Sequence, residues 1–203
     1  MKLQLKTKQV IEYLPKRELA KQFPLTDYRS VSAVLKKEPS AWLKAQLKDK
    51  NSHFAKATAA GRSMHKSIED GQAKDALMAA CLETFDQKIL VDIDEIWGQE
   101  EWLAHPLGYK GKFDGVGIYK GKLTLFDHKK TVKRKTFSGL KSWFQQLVAY
   151  KQAHEHLYQD HPIEQVAIFN IFGKTADEVD AEATVLTVDQ VDEYLTYFNG
   201  RFA

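Results

Sequence analysis

The sequence holds 203 residues with 43% hydrophobic content, 28% charged residues and a formal net charge of +3, enough chain for one substantial domain or at most two small ones. Its single cysteine, Cys81, excludes an intrachain disulfide, a four-cysteine zinc site and an iron–sulfur cluster ligated by this chain alone, and it fits a reducing compartment. No apolar run approaches the roughly eighteen residues of a membrane span, and MKLQLKTKQV lacks an apolar signal core, so the expectation is a soluble, unprocessed protein without a membrane partner.

In chain order, the first third reads as helical. Helices are expected over Tyr13 to Gln22, then from a start at Ser30 or Ser32 through Val31, Val34 and Leu35, then over AWLKAQLKDK behind a Ser40 cap. A longer helix is expected from Phe54 to Glu69, closed by Gly71, and another from Ala73 to Phe85. Between Ile89 and Leu125 the period changes: KILVDIDEIW, GYKGKFDGVGIY and KLTLFDH are strand-like, and Lys120-Gly121 between two alternating runs predicts a hairpin. A basic loop, KKTVKRK at 129–135, leads to a helix from Ser142 to Tyr158. The runs 166–172 and 183–188 read as strands, and Val191 to Phe202 as a closing helix. The expected fold is α/β (α+β), a central mixed β-sheet flanked by helices. The division is a mainly helical part at 1–85 and a sheet-containing core at 86–203, within one domain over 1–203.

The run Leu123 to Lys129 carries the most chemistry. Strand alternation puts Leu123, Leu125, Asp127 and Lys129 on one face and Thr124, Phe126 and His128 on the other. Phosphodiester hydrolysis needs a cation that polarises the phosphoryl oxygen and acidifies a water, and a positive group that steadies the developing charge. An aspartate and a lysine sharing the end of an apolar strand supply the ligand and the positive group, although the same pair is also common as a surface ion pair. Asp114, on the other arm of the expected hairpin, has a register that brings it beside Asp127. Two adjacent carboxylates call for a cation between them or a raised pKa, while an aspartate before glycine is also an ordinary turn residue. His65 and Glu69 are four apart on the expected helix and share a face, as do Gln146 and Tyr150 on a later one. Gly61 would let the first of these helices approach a backbone or a phosphate. Trp143, Phe144, Tyr28 and Trp42 are candidates both for stacking on unpaired bases and for ordinary core packing.

The order H-x-x-x-E, D, D-x-K, Q-x-x-x-Y resembles the PD-(D/E)xK nuclease superfamily, and within its RecB-like branch the mitochondrial genome maintenance exonuclease family and its phage relatives. The segments that carry the resemblance are SVSAVL at 30–35, GRSMHKSIE at 61–69, GYKGKFDGVGIYKGKLTLFDHKKT at 108–131 and QQLVAY at 145–150. The resemblance implies a restriction-endonuclease-like core and a metal-dependent DNA exonuclease acting on single strands or single-stranded ends. A duplex-end recombination exonuclease, a structure-selective endonuclease or a catalytically silent DNA-binding module stand as alternatives. It implies that His65, Asp114, Asp127 and the backbone carbonyl of His128 bind Mg2+ or Mn2+, that Lys129 orients the water, and that Gln146 and Tyr150 support the site. Glu69 joins the expected catalytic set. Ser30, Ser32, Arg62, Lys130, Lys133, Arg134 and Lys135 are the expected DNA contacts. Lys130 stands between D-x-K and Thr131, where the family usually has threonine directly. A role in replication, recombination or repair beside other proteins of those pathways follows from the same resemblance, in the cytoplasm, or the host's if the source is a phage.

Overall fold

The computed structural model describes residues 7–35, 41–49 and 51–202, apart from the side chains of residues 41–43, 47, 53, 54, 57 and 69. The fold is a mixed α/β arrangement of two mixed sheets flanked by helices. Two short helices, α1 (Lys16–Gln22) and α2 (Val31–Leu35), enclose the two-residue strand β1 (Arg29–Ser30). Of the two candidate caps for α2 it is Ser30 that acts, its Oγ accepting from the Ala33 N–H at 3.1 Å. Helix α3 (Ala41–Lys48) follows, and its expected cap Ser40 lies outside the described residues.

The long helix α4 (His53–Asp70) starts at Ser52, whose Oγ accepts from the Ala55 N–H, and stops at Gly71 with φ 62°. That left-handed conformation suits glycine and closes the last turn. Helix α5 (Ala76–Lys88) starts three residues later than expected because Asp75 caps it, accepting from the Met78 N–H at 2.8 Å. Helix α1 likewise starts three residues late, at Lys16 behind Pro15, whose fixed φ suits the edge of a helix rather than its interior.

The strands are β2 (Ile93–Gln99), β3 (Trp102–His105), β4 (Tyr109–Lys112), β5 (Gly115–Tyr119), β6 (Lys122–Thr131), β7 (Gln165–Phe172) and β8 (Asp180–Thr187), with α6 (Lys141–Leu157) before β7 and α7 (Val188–Asn199) after β8. The larger sheet runs β2-β5-β6-β7-β8 and is antiparallel except for the parallel pair β6–β7, which α6 connects. The β5–β6 hairpin turns at Lys120 and Gly121, with φ 51° and 73°, the two positive values that a tight twisted hairpin requires. The smaller sheet, β1-β4-β3, was not expected.

The large sheet separates two apolar layers. On one side Leu123, Leu125, Val166 and Ile168 pack with Phe144, Leu147 and Val148 of α6 and Phe198 of α7. On the other, Phe126, Ala167, Phe169 and Ile171 pack with Met64 and Ile68 of α4 and Met78, Cys81 and Phe85 of α5. The alternation expected for β6 is therefore present, and it fixes where the polar residues at its end point. Among the described residues no helix is long and apolar enough to cross a membrane.

Candidate active site and metal centre

Strands β2 and β3 form one arm of a bent antiparallel ribbon, and β4 and β5 form the other. Gln99 pairs with Gly115 on one side of the bend and Trp102 with Lys112 on the other. Glu100 and Asp114 occupy the bend itself, where the ribbon passes from one sheet to the other, joined by the Glu100 N–H and the Asp114 carbonyl at 3.3 Å. Glu100 has φ 53°, a left-handed conformation that costs a side-chain-bearing residue on the order of 1–3 kcal/mol and concentrates at functional positions. His65 comes in from α4, anchored by its buried neighbours Met64 and Ile68. One ligand atom each from His65, Glu100 and Asp114 lie within 4.8 Å of one another.

Asp114 is oriented by three groups. Its Oδ2 accepts from the backbone N–H of His128 at 2.8 Å, and it lies 3.4 Å from His65 Nδ1 and 3.6 Å from His128 Nδ1. The His128 ring is held edge-on against Phe85 and Phe126, at 5.2 and 5.5 Å, and only 4% of the residue is exposed. An extended residue points its N–H and C=O to the same strand edge, so the His128 carbonyl faces the Asp114 side as well. Burial pushes the Asp114 carboxyl up, but hydrogen bonding from His128 and the charges of His65, His128 and Lys129 outweigh it and hold the group below the usual carboxylate range.

On the opposite face of β6, Asp127 is 2% exposed and ion-paired with Lys129. Burial raises the Asp127 pKa, Lys129 opposes this, and nearby Asp114 adds to it, for a net rise. Burial lowers the Lys129 pKa, but Asp127 and Asp114 more than reverse it, so the ammonium stays charged. The two aspartates are thus driven apart: one is firmly anionic, the other protonates more easily unless further positive charge arrives.

Helix α6 closes this side. Gln146 Nε2 donates to Tyr150 Oη at 3.3 Å, and the phenol is buried near both aspartates, with its pKa raised first by burial and then by their charge. Tyr150 comes this close because Gly111 faces it: a Cβ there would stand 2.8 Å from its Oη and 3.0 Å from its Cζ. The Lys129 ammonium lies 5.9 Å from the Trp143 ring centroid, a cation–π contact.

An open cavity of about 380 Å³ lined by Gly61, Arg62, His65, Lys66, Glu100 and Asp114 leads to the acidic cluster. Nothing stands within 4 Å of a Cβ at Gly61, so this glycine borders open space rather than a close backbone. A larger cavity of about 560 Å³ between Gly71 and Gln87 contains none of these residues; donor chemistry, not size, singles out the smaller one. Among the expected DNA contacts, Arg62 lines the cavity mouth and Lys133 and Lys135 are exposed. Lys130 Nζ donates to the Thr131 and Gly173 carbonyls at 2.9 and 2.6 Å, and Arg134 is ion-paired with Glu182. Ser30 and Ser32 lie 3.3 Å apart through their hydroxyls, with Ser30 committed to its cap. The Glu69 and Trp42 side chains lie outside the described ones.

A candidate exonuclease from Eubacterium rectale superposes with a TM-score of 0.56 at 13% sequence identity, over 94% of this chain and 84% of that one. The likeness is one of fold. A phage-related exonuclease from Haemophilus somnus aligns over 86% of this chain and 93% of its own, at 12% identity and a TM-score of 0.38. No protein-family profile matches the sequence, and no curated protein matches it either.

Two groups of this candidate site are not marked by the sequence pattern. Glu100 sits in an acidic stretch, GQEEW, that reads as a solvated face, and the one available signal was its place at the end of a strand facing the run that ends in Asp114. For His128 the sequence points only to the backbone carbonyl, yet its ring fills an apolar box of Phe85, Phe126 and Phe169 behind Asp114.

Proposed function

We propose that this chain is a divalent-metal-dependent deoxyribonuclease, a single nuclease domain over 1–203 that hydrolyses phosphodiesters from a DNA end and prefers single strands. The observation that carries the reading is the convergence of His65, Glu100 and Asp114 on one point, one strand position away from a buried Asp127–Lys129 pair. Nitrogen and carboxylate donors in this ratio suit Mg2+ or Mn2+, and the raised Asp127 pKa, caused first by burial and then by the nearby Asp114, is one that an added positive charge would lower. The donors therefore fit such an ion, with His65, Glu100 and Asp114 as ligands, the His128 carbonyl on the same edge, and Asp127 as the further ligand that the D-x-K resemblance implies. When bound, the ion would polarise a phosphoryl oxygen and acidify a water.

The protein's own groups do the rest. Asp114 is held in one rotamer by the His128 N–H and ring, so its carboxylate is set before any ligand arrives. Lys129, charged and partly buried, stands where it can donate to a phosphoryl oxygen or to the attacking water, and Asp127 fixes its position. Gln146 and Tyr150 offer an amide and a phenol from α6 to the same space. Arg62 at the cavity mouth and Lys133 and Lys135 beyond Lys129 supply sequence-independent phosphate affinity. The fold shared with the E. rectale protein, named a candidate exonuclease, supports the same reading. The test is digestion of a linear single strand, the same strand circularised, and a blunt duplex, each with Mn2+. Rapid loss of the linear strand alone is expected; efficient cutting of the circle would make the enzyme an endonuclease, and equal rates on blunt duplex would remove the strand preference.

A further inference from the structure

The loop that leaves the Lys129 end of β6 carries an aromatic group that neither the apolar core nor the acidic cluster uses. Phe137 is 51% exposed, the most exposed of the described aromatic residues. Its ring lies 5.7 Å from that of Phe144 at an interplanar angle of 38°, and Phe144 is fully buried. One face of Phe137 is therefore fixed to the core and the ring still presents a large apolar surface to solvent. The loop is held in place at both ends: Arg134 Nε donates to Glu182 Oε2 at 2.7 Å, and Thr136 caps the turn that carries Phe137 by accepting from the Gly139 N–H. Beside the ring, a cavity of about 350 Å³ is lined by Arg134, Lys135, Thr136, Glu182 and Thr184.

We infer that Phe137 is a stacking platform for an unpaired base, with Lys133 and Lys135 taking the flanking phosphates. This rests on the nuclease reading for its choice of ligand. Three observations favour a single strand over an apolar protein partner. The surroundings are basic: Lys133, Arg134 and Lys135 are consecutive, and Glu182 is the only acidic residue lining the cavity. Apolar exposure on this loop is small: in the described segment 132–140 the large exposed apolar side chains are Phe137 and Val132, at 51% and 39%, which suits a base better than a protein interface. The platform also adjoins the site, since Phe144 beneath Phe137 is next in sequence to Trp143, against which Lys129 rests. A strand crossing the first turn of α6 would join the two. Phe144 and Tyr28, aromatics that sequence alone offered for stacking, are buried or half-buried in apolar clusters; the exposed ring is one that the period did not single out.

The experiment measures binding of a fluorescein-labelled thymidine oligonucleotide in EDTA, which separates affinity from cleavage. Phe137→Ala and Phe137→Leu should both weaken binding about tenfold, the share of one stacked base; the leucine variant keeps an apolar side chain on Phe144 and so controls for folding. Both should bind a blunt duplex of equal length as the unchanged protein does, because paired bases offer no free face. Phe137→Trp should bind normally, and its added fluorescence should be quenched by the oligonucleotide. Unchanged affinity in both the alanine and leucine variants, or an unquenched tryptophan, would overturn the platform. Digestion of the same oligonucleotide by the unchanged protein with Mn2+ is read separately: cleavage without a Phe137 effect removes the platform and keeps the nuclease, whereas a Phe137 effect without cleavage does the reverse.

Discussion

Replacing Gly111 by alanine should damage the site without touching any proposed ligand. The added Cβ would overlap Tyr150 Cε1 most severely and would stand 2.8 Å from Oη and 3.0 Å from Cζ, where carbon contacts ordinarily rest near 3.5 Å or beyond, so the ring must retreat by about 1 Å or more. Tyr150 is 5% exposed and sits among Leu147, Phe113 and their neighbours, which leaves it little room. Overpacking of this kind costs about 1–3 kcal/mol, and for a chain of this length about 2 kcal/mol lowers the Tm by roughly 4–8 °C. A displacement of about 1 Å beside the reacting groups is worth on the order of 100-fold in rate. The assay is a pair of thermal melts and cleavage rates for Gly111→Ala in the unchanged and Tyr150→Ala backgrounds. The stability penalty should largely vanish in the second background, since the clashing ring is gone. An equal penalty in both backgrounds, or a Gly111→Ala protein with unchanged Tm and rate, would refute the argument.

Asp127→Ala and Lys129→Ala should each reduce cleavage below detection while a filter-binding assay still finds DNA bound, because affinity comes from basic residues spread over a wider surface. His65→Ala should lose activity that high Mn2+ restores in part, since Mn2+ binds nitrogen and carboxylate donors more tightly than Mg2+; full activity at low metal would reduce His65 to a helix residue. Glu100→Gln should raise the Mn2+ concentration needed for half-maximal cleavage, and no change there would remove Glu100 from the ligand set. Acid stability should depend on His154, whose Nε2 lies 3.1 Å from Tyr13 Oη and whose pKa burial pushes down to about 3. The folded value lies below the unfolded one of about 6.5, so the unfolded chain binds the proton first and stability falls as pH drops through that interval. About 2 kcal/mol should be lost at pH 5 from this group, and His154→Gln should flatten that slope in urea melts.

Much of the frame was legible because strong periodicity leaves few choices. The alternation in Leu123 to Lys129 needs one buried face on each side of β6, and α6 and the α4–α5 layer supply them. Gly71 and the Lys120-Gly121 pair were readable because few other residues tolerate their backbone angles. The small sheet was not legible: β1 has two residues and β4 four, too short for an alternating signal, and GYKGKFDGVGIY spans two strands in different sheets. The same bend hid Glu100, because a carboxylate brought into a site by a left-handed backbone follows no period. Helix starts were misplaced where a cap or a proline overrode the apolar spacing, as at Asp75 and Pro15.

A metal-dependent nuclease centred on Asp114 is tested by cleavage of an end-labelled single strand by the purified protein and by Asp114→Asn. Asparagine keeps the shape and can still accept from the His128 N–H, but it removes the charge that a divalent ion needs. Stepwise shortening of the strand is expected from the unchanged protein with Mg2+ or Mn2+, none with EDTA, and none from Asp114→Asn at equal metal although it still binds the strand. Undiminished cleavage by Asp114→Asn, or by the unchanged protein in EDTA, would contradict that assignment.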